Sequence, residues 1–147
     1  MNADTGPPKA LYVSLMIGGL SDENSSAVAA VEAIGRLSDD VCASVPPVGL
    51  NVDLTFHVPG PIVSPDYQGV RTGRYVADDQ LLVVQAAVPV PLQGEAARAY
   101  MAGVLRKTVD LAKADLKRRK LDLSLATVET VIAKMLEEMP SLHFADE

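Results

Sequence analysis

The 147 residues are 48 % hydrophobic and 22 % charged, with a net charge of −6. That balance excludes a mostly disordered chain and fits one domain with a continuous core. The single cysteine, Cys42, excludes an internal disulfide framework and fits a reducing compartment. No apolar run approaches the roughly 20 residues of a membrane span, and the first eight residues lack the basic start and apolar core of a secretion leader, so a cytoplasmic protein without membrane contact is expected.

A flexible start over 1–8, a single domain over 9–140 and a polar tail over 141–147 are expected. From Leu11 to Ile17, apolar Leu11, Val13, Leu15 and Ile17 alternate with Tyr12, Ser14 and Met16, which predicts a strand with its first face buried. Gly18 and Gly19 break it. A side-chain oxygen among Asn24, Ser25 and Ser26 then caps a helix whose stripe runs from Val28 through Val31, Ile34, Leu37 and Val41 to Val45, where Pro46 and Pro47 stop it. Leu50, Val52, Leu54, Phe56 and Val58 alternate with Asn51, Asp53, Thr55 and His57 in a second strand with one face core and one face wet or partner-covered. A proline-stiffened connector from Pro59 to Gly69 follows.

Val70 to Val88 reads as two strands around an Asp78-Asp79 turn, and the nearly continuous apolar run from Leu81 places the second near the sheet centre. After Pro89 and Pro91 the period becomes helical. Met101, Val104, Leu105, Thr108, Val109, Ala112 and Leu116 share one face of a long helix opened by Gly94 and Glu95. Asp122 or Ser124 caps a last helix, with Val128, Val131, Ile132 and Met135 on its stripe, ended by Pro140. The order β-α-β-β-β-α-α predicts an α+β fold, a mainly antiparallel four-stranded sheet packed by one N-terminal and two C-terminal helices.

Chemical signatures are sparse. Two histidines and one cysteine at distant positions give no metal spacing, and no nucleophile elbow, phosphate loop or dinucleotide fingerprint occurs, so no cofactor or metal is expected. His57 is the best acid–base candidate. Asp53 shares its face, but four strand residues place the two about 13 Å apart, beyond direct pairing. Arg71 and Arg74 are anion-binding residue types, yet three residues apart on a strand they point to opposite faces unless a bulge intervenes at Gly73.

Charge is divided along the chain. Seven of the thirteen Lys and Arg fall between Val104 and Leu121, opposed there only by Asp110 and Asp115, whereas Met1 to Gly69 holds Lys9 and Arg36 against eight acidic residues. Arg106, Lys113, Lys117 and Lys120 cluster on one arc of the long helix. Acidic net charge and scarce aromatics argue against nucleic acid. The sequence therefore reads as a small acidic, non-catalytic protein-binding module, in the manner of a bacterial immunity protein, antitoxin-like inhibitor or chaperone, with a basic partner protein. Expected contacts are Asp53, Thr55, His57, Tyr67, Arg71, Arg74, Arg106, Lys113, Lys117 and Lys120. The alternative is a small-molecule binder or enzyme with a site between the sheet and the C-terminal helices, using His57 with Arg71, Arg74 or Asp78. A homo-oligomer, basic helix against acidic neighbour, is a third arrangement.

Overall fold

Period-two alternation gives the chain four strands and period 3.6 gives it three long helices, in the expected order. A computed structural model describes residues 9–19 and 24–144; the expected flexible start lies outside them. The elements are β1 (Leu11–Ile17), α1 (Ser25–Cys42), β2 (Asn51–Val58), β3 (Gly69–Val76), β4 (Leu81–Ala87), α2 (Gly94–Arg119) and α3 (Ala126–Glu138). α1 ends at Cys42, a full turn short of the proline pair. Its N-cap residue, Asn24, caps nothing with its side chain; the amide instead donates to the Gly19 carbonyl at 3.0 Å, anchoring the helix start to the end of β1. Ser124 does act at the start of α3, its hydroxyl accepting the Ala126 N–H at 3.2 Å.

The sheet is mixed and mostly parallel, correcting the expected antiparallel one. Its order is β1-β2-β4-β3; β1 pairs with β2 and β2 with β4 in parallel, and only β3 with β4 is antiparallel. The β1-to-β2 connection runs through α1, as a parallel crossover requires. From β2 to β4 the strands do reverse direction one after another. In the order 2-3-4 this would make antiparallel neighbours, but β4 sits inside β3 and so lies beside a strand of its own direction. Composition explains the exchange: β4 is apolar along most of its length, whereas Arg71, Gly73 and Arg74 suit β3 to an edge.

Val52, Leu54 and Phe56 of β2 and Leu82 and Val84 of β4 are fully buried against the helices, each contributing about 1.5–3 kcal/mol of transfer free energy. α1 and α2 lie on the sheet, while α3 packs chiefly on α1 and α2. Ile17, expected inside, is 46 % exposed, because the buried face of β1 fades towards its end. Of the expected tail, residues 145–147 lie outside the described ones, and 141–144 pack against the domain. Phe144 is buried, and Arg98 donates to the Leu142 carbonyl at 2.7 Å and lies 5.7 Å from the Phe144 ring centre.

Candidate functional site

Alternation on β2 turns Asn51, Asp53, Thr55 and His57 away from the helices, and the register carries that second face across the sheet. Tyr12, Asp53 and Val83 share one rung, Ser14, Thr55 and Gln85 the next, and Met16, His57 and Ala87 the third. The described helices all lie on the opposite face. What remains here is an open groove of about 390 Å³ lined by Asp53, Thr55, His57, Arg74, Val83 and Gln85, with Met16 at its margin. Asp53 is held in place by its neighbours: the Ser14 hydroxyl donates to its Oδ1 at 2.8 Å and the Thr55 hydroxyl at 3.3 Å.

The bulge required to bring the two β3 arginines together is present. Thr72 pairs with Val84 and Tyr75 with Leu82, three steps on β3 against two on β4. The extra residue restores Tyr75 to the buried side and leaves Arg74 on the groove side with Arg71, which pairs with Gln85. Arg71 is fully engaged. Its Nε–H donates to Gln85 Oε1 at 3.0 Å, its guanidinium lies 3.8 Å over the centre of the Tyr67 ring, and one terminal nitrogen is 3.6 Å from Asp66.

Tyr67 in turn meets His57 edge-on, ring centres 5.8 Å apart. The proline-rich connector that delivers it is clamped to the end of β1: Ile62 N–H and Val63 N–H both donate to the Gly18 carbonyl, at 3.0 and 2.9 Å. His57 Nε2 and the Tyr67 hydroxyl are buried without a hydrogen-bond partner among the described residues. Burial, and secondarily the Arg71 charge, lowers the His57 pKa from 6.5. Neutral His57 thus adds stability that is present above pH 6.5 and lost as the pH falls through the folded-state value. Following its ring protons by NMR should give a midpoint below 6.5 that rises in Arg71→Gln; an unchanged midpoint would mean that Arg71 and its stacking on Tyr67 do not govern the histidine. Behind Tyr67, Tyr100 donates its hydroxyl to the Ala87 carbonyl, and burial pushes its pKa up to about 12.

The ten expected contact residues separate into two groups. Asp53, Thr55, His57, Arg71 and Arg74 share the groove face with Tyr67 at its rim, whereas Arg106, Lys113 and Lys117 are exposed on α2 and Lys120 at its left-handed C-cap, in the helical layer. Lys113 is paired there with Glu129 at 3.3 Å. The alternative site is corrected on two points. His57 faces away from the C-terminal helices, and Asp78 lies in the turn before β4, whereas His57 pairs with Ala87 at the other end of that strand, about 20 Å away. Met16, Val83 and Gln85 were missed as groove residues, and Ser14 as the residue that holds Asp53. Gln85 had a signal, being the one polar residue inside the apolar run of β4, and Ser14 and Met16 had theirs in the alternation of β1. No known protein family, curated protein or solved structure matches this chain.

Proposed function

We propose that the chain is a non-catalytic protein-binding module, of the immunity-protein, inhibitor or chaperone kind, that docks a basic partner protein on the groove face of its sheet. The carrying observation is that β1, β2 and β4 form a parallel sheet whose described helices all lie on one face, whereas parallel sheets are usually covered on both. A partner supplies the second cover. Exposed Met16 of β1 and Ile62 and Val63 of the connector extend the face at its corner, giving an apolar patch beside polar groups, the composition of a recognition surface. Steering and contact are separate here: the net charge of −6 draws a basic protein in, while the face itself carries both signs.

The test is capture from the native lysate with three baits: the native chain, Thr55→Arg, which fills the groove, and Arg106→Glu/Lys117→Glu on α2. One stoichiometric basic protein should be held by the first and third and lost from the second, with binding weakened by salt. A partner retained by Thr55→Arg, or lost only from the α2 variant, would refute docking on this face.

A further inference from the structure

We infer that the Arg74–Gln85 corner of the groove is a carboxylate-binding site, an assignment that does not depend on the docking of a protein. Arg74 is exposed and makes no hydrogen bond or ion pair among the described residues, in a chain with 19 acidic residues. The bulge nevertheless aims it into the groove, at the cost of an irregular ladder; in an unbroken strand it would point away from Arg71. Gln85 supplies the second donor. An arginine N–H can only donate, so its bond at 3.0 Å identifies the Gln85 atom beside Arg71 as the amide oxygen, leaving the NH₂ group as a donor in the groove that Gln85 lines. That NH₂ makes no hydrogen bond among the described residues. Arg71, itself held by Tyr67 and Asp66, therefore presets the amide orientation before a ligand arrives.

A planar, singly charged group with two oxygens suits one guanidinium fork and a neutral amide donor. A phosphate dianion is disfavoured, because Asp53 lines the same groove and Arg74 is the one Lys or Arg lining it among the described residues. Asp53 itself does not compete for Arg74: its Oδ1 accepts from Ser14 and Thr55, and it makes no ion pair with Arg74 across Val83. The carboxylate can come from an acidic side chain or from a free dicarboxylic acid, and the two are separable by experiment.

Arginine Nε–H and glutamine NH₂ signals would be followed by NMR during titration with N-acetyl-glutamate α-amide, and separately with succinate, against sodium chloride of equal ionic strength. The Arg74 and Gln85 signals should shift saturably. Arg74→Gln should weaken binding at least about fivefold, Arg74→Lys less, and Arg106→Gln not at all. Tighter binding of succinate would identify a free dicarboxylic acid as the ligand class; equal or tighter binding of the capped glutamate would identify an acidic side chain. Shifts that are linear and matched by chloride, or unchanged in Arg74→Gln with the rest of the spectrum preserved, would overturn the assignment. Saturable binding in a chain that captures no partner would leave this site standing and remove the docking reading. Capture indifferent to Arg74→Gln would separate the two sites.

Discussion

Gly18→Ala is expected to cost about 3 kcal/mol of stability and to detach the proline-rich connector from the end of β1. A Cβ at Gly18 would lie 1.8 Å from the Val63 carbonyl oxygen and 2.8 Å from the Gly60 nitrogen. Both obstacles are backbone, so no rotamer change relieves the clash. Gly60 closes the same contact from the other side, its own Cβ position being 2.6 Å from the Gly18 carbonyl carbon. The connector must move as a unit, losing the bonds from Ile62 and Val63 to the Gly18 oxygen at 3.0 and 2.9 Å. Tyr67 then leaves His57, so the imidazole rehydrates and its midpoint returns towards 6.5. Urea unfolding and amide exchange at Ile62 and Val63 measure the two effects. Gly103→Ala is the control, because a Cβ there meets nothing within 4 Å. If Gly18→Ala behaved like the control, the connector would not be packed on β1 as described.

Asp115→Ala should destabilise the fold by about 2–3 kcal/mol, or roughly 6–10 °C in Tm. The Asp115 side chain is 2 % exposed, on the α2 face that meets β3; Arg118 bonds one carboxylate oxygen, and Arg119 Nε–H donates to the other at 2.5 Å. Arg119 also donates to the Gly73 carbonyl at 3.2 Å and lies 5.9 Å from the Tyr75 ring centre. The carboxylate thus fixes the arginine that ties α2 to the bulge. Removing it leaves Arg119 partly buried without its counter-charge, whereas Arg118, 64 % exposed, turns to water; this keeps the cost below that of a fully buried pair.

Burial raises the Asp115 pKa, but hydrogen bonds and charge from Arg119 and Arg118 outweigh it and hold the value below the ordinary 3.8. A depressed carboxyl pKa gives stability that is fully present above pH 3.8 and lost as the pH falls through the folded-state value. Denaturant midpoints at pH 7 and pH 3 should therefore converge between the native chain and Asp115→Ala as the solution becomes acidic. A difference that stayed constant with pH would mean that the loss is one of packing rather than of charge. Because Arg119 holds the Gly73 carbonyl, carboxylate binding at Arg74 should weaken in the same variant.

The sequence by itself determined the element order, the two faces of β2 and the central place of β4. These follow from repeats of two and 3.6 residues and from apolar content, which any stretch of chain carries locally. Asp53, Thr55 and His57 were legible as one face for that reason, and Arg71 with Arg74 were legible down to the bulge they would need. Tertiary structure alone decided the parallel pairing. A strand's alternation is the same beside either kind of neighbour, and exchanging β3 with β4 depends on which edge best tolerates Arg71 and Arg74, a comparison between distant segments. It also decided that the basic helix lies in the layer opposite the groove, and that Asp115, one acid among lysines and arginines, is a buried anchor rather than a solvated charge. Helical spacing brought Asp115 near Arg118 and Arg119, but only the packing of α2 on β3 removes it from water.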